Sequence, residues 1–130
     1  MLKRDRYRWS RPIQRDFYAN CKTVRSLDDV PSHPSNTIYV VNRGGKDRWA
    51  VVSCPCGCQS RIEVNLMRSH RPSWRMRRHK DGKVSFFPSL WVSDDRCGSH
   101  FWIIKSSVLW ADPFPRMGPS GGGEQHSWDA

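Results

Sequence analysis

The 130-residue sequence predicts an all-β domain, mainly antiparallel, of short strands and hairpins, with a zinc site and at most one or two short helices. Three observations carry that expectation. Short runs of alternating apolar and polar side chains recur between turn signals, no stretch sustains a helical period, and three of the five cysteines crowd into "SCPCGCQS", Ser53 to Ser60. Alternation with a period of two puts one set of side chains on a buried sheet face.

The elements follow in order. "SLDDV" (26–30) is the helix candidate, with Ser26 as N-cap, two acids in the first turn and Pro31 as a stop. "NTIYVV" (36–41) and "RWAVVS" (48–53) flank "NRGGKD" and read as a hairpin turning at the glycine pair, which runs directly into the cysteines. "RIEVNL" (61–66) and "SWRMR" (73–77) alternate, and "KVSFF" (83–87) follows a "KDGK" turn. "HFWIIK" and "VLWA" predict a last hairpin turning around Ser106 and Ser107. Aromatic residues make up 12% of the chain, so the expected core is small and aromatic-rich.

One domain suits this length. The expected division is a basic N-terminal segment 1–20, a zinc-binding β-rich domain 21–112, and a flexible Gly/Pro/Ser-rich tail 113–130. No apolar run approaches the ~20 residues of a membrane span, and "MLKRDRYRWS" leads into no apolar signal region, so a cytoplasmic protein with no membrane association is expected. The net charge of +10 is concentrated in residues 1–15 (+5) and 68–80 (+6). Such runs are either solvated faces or contacts for an acidic partner, protein or nucleic acid.

In a reducing compartment a local cysteine cluster points to a metal rather than to disulfides. "CPCGC" supplies Cys54, Cys56 and Cys58, with Gly57 permitting the turn that lets them converge; "CGSH" supplies Cys97 and His100. Four cysteines complete a tetrahedral zinc site, and so do three cysteines with His100; spacing leaves both sets open. Cys21 stands alone and reads as a buried thiol, while His33, His70, His79 and His126 read as surface residues.

If the ligands are all cysteines, His100 is available as a general base. Ser89, at the end of the aromatic strand in "FFPSLW", is the best-placed nucleophile, with Asn65, Asp94 or Asp95 as candidates to orient the imidazole. A capping serine and a ligand histidine are the bland alternative.

The ordered series "SLDDVP", "NTIYVV", "CPCGC", "SW", "VSFFPSLW", "CGSHFWI" and "VLW", from about Ser26 to Trp110, resembles a family of small bacterial proteins of undefined function. These are encoded beside ubiquitin-like modifiers and their activating and conjugating enzymes. The resemblance implies a zinc-binding β-rich domain in a ubiquitin-like conjugation system, as the peptidase that trims the modifier or removes it from targets. It carries over Cys54, Cys56, Cys58 and Cys97 as metal ligands and Ser89 and His100 as catalytic candidates.

The leading expectation is therefore a zinc-containing peptidase that cuts after the C-terminal glycine of a ubiquitin-like protein. A non-catalytic zinc adaptor that partners the modifier or its conjugation enzymes is the second. The third is a nucleic-acid-binding domain in which Tyr7, Trp9 and Trp74 stack on bases between arginines.

Overall fold

A computed structural model of the chain describes residues 13–93 and 95–111; the first basic run up to residue 12, including Tyr7 and Trp9, the stretch from residue 112 onward and Asp94 fall outside them. The fold is all-β. Strands β1 (Asn20–Val24), β2 (Thr37–Arg43), β3 (Lys46–Ser53) and β4 (Arg61–Asn65) form one sheet in that order, β5 (Arg75–Arg78) pairs with β6 (Val84–Phe87), and β7 (Leu90–Trp91), β8 (His100–Ile104) and β9 (Ser107–Trp110) form a third sheet. Every ladder between named strands is antiparallel except β1 with β2.

The hairpins stand where their turn chemistry puts them. Gly44 and Gly45 join β2 to β3 with φ of +64° and +80°, the left-handed conformation that a two-residue hairpin turn needs. The β8–β9 turn is made by Lys105 and Ser106, one residue earlier than expected, and both have positive φ without being glycine. Tertiary hydrogen bonds hold them there: Lys105 N–H donates to Ser85 Oγ (2.7 Å), Ser106 N–H to Val84 O (2.7 Å), and Val84 N–H to Ser106 Oγ (3.0 Å). "SLDDV" becomes a single 3-10 turn, Leu27–Asp29, capped by Ser26 Oγ accepting from Asp28 N–H at 3.0 Å.

The alternation read from the sequence is the alternation of burial. Ile38, Val40, Ala50, Val52 and Val64 point from the four-stranded sheet into the main core, where they meet Val84, Phe86, Leu90, Phe101, Ile103 and Val108 from the other strands. Val41 and Val51 point the other way and are covered by Val30, Leu27 and Trp49. The core is thus dominated by β-branched and other aliphatic side chains rather than by aromatics, and Trp49, Trp102 and Trp110 are only half-buried. Wide rings suit the rim, since their edges reach polar partners there; Trp110 Nε1–H donates to Gln14 Oε1 at 3.0 Å.

Part of the basic N-terminal segment is built into this body. Gln14 pairs with Val108 at the edge of β9, and Tyr18, four residues on, is 1% exposed within the main core. Its hydroxyl donates to Ser53 O at 2.6 Å, tying the segment to the last residue of β3. Replacing Tyr18 with Phe leaves that buried carbonyl without its donor. Tyr18→Phe is expected to lower unfolding free energy by about 1–3 kcal/mol with unchanged secondary structure, read by denaturant unfolding; an unchanged midpoint would show the contact to be energetically idle.

Candidate active site and cysteine cluster

Ser89 sits at the corner where the chain leaves β6 through Pro88 and enters β7. His100 opens β8. In the β7–β8 ladder Leu90 faces Phe101 and Trp91 faces His100. Leu90 and Phe101 are buried in the main core, so the alternation turns Trp91 and His100 to the opposite face. There Ser89 Oγ lies 2.7 Å from His100 Nε2, within the reach of a nucleophile and its base. Both residues are half-buried, so the pair is held yet open on one side.

Two tryptophans complete the setting, and the sequence reading gave neither a place in it. The indole of Trp91 stacks on the imidazole of His100, with centroids 4.5 Å apart and planes 17° from parallel. Trp74 is buried, and its Nε1–H donates to Ser89 O at 3.1 Å. The burial overturns the expectation that Trp74 stacks on nucleic-acid bases. Cross-strand register would have been the only sequence signal for Trp91, and Trp74 has none.

Of the candidate orienting groups, Asn65 has other work. Its Nδ2 donates to the carbonyls of Met67, His70 and Pro72 at 3.0–3.3 Å, and its Oδ1 accepts from Met67 N–H at 2.9 Å, so it braces the loop after β4. Asp95 Oδ1 accepts from Ser93 Oγ at 2.6 Å. Asp94 lies outside the described residues.

The hairpin β2–β3 delivers the chain into the cysteines. Cys54, Cys56, Cys58 and Cys97 place their four Sγ atoms within 4.8 Å of one another, with Cys54 and Cys97 3.7 Å apart. Sulfurs bound at ~2.3 Å around one zinc stand about 3.8 Å apart, so the donor set and its spacing fit a tetrahedral thiolate site. All five cysteines are free thiols, as a metal site requires. Gly57 (φ +101°) turns the first loop, and backbone N–H groups of Cys58 and Ser60 point at Cys56 Sγ and Cys58 Sγ, both at 3.4 Å. Burial pushes the Cys54 and Cys56 thiols up. At Cys58 burial works in the same direction but is outweighed by hydrogen bonds from Ser60 and the neighbouring thiols, which draw it down to about 6. Among the described residues the four-membered ligand group contains cysteines only, while His100 Nε2 is directed to Ser89.

The two constellations share a loop. Val92 N–H donates to Ser99 O at 2.8 Å, closing the segment that carries Cys97, and Arg96 and Gly98 N–H both donate to Ser93 O. The remaining described histidines stand apart from both. His33 and His70 are exposed as expected, but His79 is half-buried, its Nε2 2.8 Å from Ser85 Oγ. A shallow trough of about 620 Å³, lined by Leu27, Val41, Arg43, Arg48, Trp49 and Met67, lies on the other side of the four-stranded sheet and includes none of the site residues.

Among the described residues no helix is long and apolar enough to cross a membrane. No curated protein and no solved structure matches the chain. A family model does: "Bacterial ubiquitination-like system serine protease (BubE)", over residues 24–111, which include the four clustered cysteines, Ser89 and His100. Coverage of more than half the chain, by a family whose name fits an all-β domain with a serine beside a histidine, leads to one assignment: the chain belongs to the BubE family of bacterial ubiquitination-like systems, named as serine proteases.

Proposed function

We propose that the chain is a serine peptidase that hydrolyses the peptide or isopeptide bond after the C-terminal glycine of a bacterial ubiquitin-like protein, trimming the modifier or releasing it from targets. The observation that carries the reading is the 2.7 Å approach of Ser89 Oγ to His100 Nε2 in a chain of this family. The Ser89 hydroxyl gives its proton to His100 Nε2 as Oγ attacks the carbonyl carbon next to the scissile bond. The imidazolium then returns that proton to the leaving amine. Water, deprotonated by the same nitrogen, splits the acyl-serine ester and frees both the carboxylate and Ser89.

Developing charge on the carbonyl oxygen calls for backbone N–H donors. Gly98 N–H is already committed to Ser93 O and Leu90 N–H to the β7–β8 ladder, so the N–H of Ser89 itself is the donor we assign. Trp74 Nε1–H, bonded to Ser89 O, holds the peptide that follows the nucleophile.

Cys54, Cys56, Cys58 and Cys97 are the residues that would hold zinc. An all-thiolate zinc is structural, and its contribution is to bind the two loops into one unit. Ser89 and His100 then carry the chemistry, and the ion takes no part in it.

Two outcomes are expected. Incubated with the cognate ubiquitin-like precursor, the wild-type protein cleaves after the terminal glycine, and Ser89→Ala or His100→Ala lowers kcat by roughly three orders of magnitude or more while each variant stays folded. A folded Ser89→Ala protein that still cleaves sinks the serine mechanism. If the wild type cleaves no cognate precursor, the adaptor role takes its place. Elemental analysis of reduced protein should show one zinc per chain, retained in His100→Ala but lost in Cys97→Ser, with chelation lowering the thermal midpoint. Loss of zinc from His100→Ala with retention in Cys97→Ser would reverse the ligand assignment.

A further inference from the structure

We propose that Trp91 is a positioning residue for the reaction, holding the imidazole of His100 in line with Ser89 and favouring the imidazolium that forms when the serine proton is transferred. The proposal rests on the Ser89–His100 reading above, and three observations support it.

The first is register. Trp91 and His100 face each other across β7 and β8, and the neighbouring Val92–Ser99 hydrogen bond makes theirs the non-bonded kind of antiparallel pair, in which side chains approach most closely. The second is orientation. Planes 17° apart at 4.5 Å put one face of the imidazole on the indole and leave the ring edge, where both nitrogens lie, for hydrogen bonds. Rotation about the Cβ–Cγ bond would drive the imidazole into the indole, so Nε2 stays at 2.7 Å from Ser89 Oγ. The third is burial. Trp91 is 8% exposed, whereas Trp102 and Trp110 on the same sheet are half-buried, so the indole is itself fixed by its surroundings.

The electrostatic consequence follows from the indole's negative face. A cation over an indole gains roughly 2- to 30-fold in stability relative to a neutral ring, and His100 becomes a cation only after taking the proton. The contact therefore strengthens as the reaction proceeds. Of the described charged side chains in the adjoining loop, Asp95 accepts from Ser93 Oγ and Arg96 donates to Ser60 Oγ.

The test uses a fluorophosphonate probe, which phosphonylates an activated serine with loss of fluoride, together with cleavage of the cognate precursor. Trp91→Leu should lower the rate of Ser89 labelling and kcat together by about 30- to 100-fold, with KM within about threefold, as a misplaced base does. Trp91→Phe, which restores a flat aromatic face, should recover to within about fivefold of wild type. Labelling of Trp91→Leu within threefold of wild type would overturn the proposal, as would equal losses in Trp91→Phe and Trp91→Leu. Should Trp91→Leu not fold, wild-type NMR decides: the imidazole C–H resonances of His100 should lie upfield of those of exposed His33 and His70, and coincidence with them would exclude the stack. A wild type that neither labels at Ser89 nor cleaves brings down the Ser–His reading itself, whereas labelling indifferent to Trp91 removes this proposal alone.

Discussion

The constraint on which the site depends is the meeting of Cys54 and Cys97, whose sulfurs stand 3.7 Å apart. Cys54 directly follows the last strand residue of β3, in the four-stranded sheet, and Cys97 sits three residues before β8, in the three-stranded sheet. Convergence of the cysteines therefore couples two sheets that share no strand. It also fixes the loop closed by the Val92–Ser99 hydrogen bond, and that loop leads straight into His100. A bound ion would act on this point with most effect, because a small core leaves little other energy to hold two loops in register.

Around that point the support is distributed among single contacts with long reach in sequence. Tyr18 comes from the N-terminal segment and secures Ser53 O, one residue before Cys54. Trp74 comes from the loop after β4 and secures Ser89 O. Asn65 braces that same loop through its side chain, and its own carbonyl accepts from Trp74 N–H at 2.8 Å. A chain of ordinary hydrogen bonds thus runs from the end of β4 to the proposed nucleophile. Each link is worth only about 1 kcal/mol in net stability, yet each fixes a direction, and direction is what a Ser–His pair needs.

The positive charge is less directed than its sequence clustering suggests. Arg75 and Arg77 on β5 are exposed, while Arg78 reaches back to Asp47 of β3 at 3.2 Å and ties the small two-stranded sheet to the large one. With Trp74 buried, that run presents arginines without the interleaved ring that base stacking would use. Among the described residues, nothing in the arrangement of this run selects a nucleic acid over any other acidic partner.

Local information was enough for much of this. Period-two alternation in "NTIYVV", "RWAVVS" and "HFWIIK" marked the faces that became the core, the glycine pair marked its turn, and "CPCGC" with "CGSH" marked the sulfurs, because side-chain alternation, positive φ and ligand spacing are properties of a few consecutive residues. Strand β1 escaped: "NCKTV" carries no fully buried side chain, and it is a strand only because β2 offers it a parallel edge. Strand β7 escaped too, since two residues hold no period. Ser89 and His100 were nameable from the sequence, but their 2.7 Å separation, the indole of Trp91 beneath the imidazole and the choice of Cys97 rather than His100 to complete the sulfur cluster were decided only by the tertiary fold. Those distances depend on how β6 turns into β7 and on which residue of β8 comes opposite, and register between strands is set by the packing of the whole core.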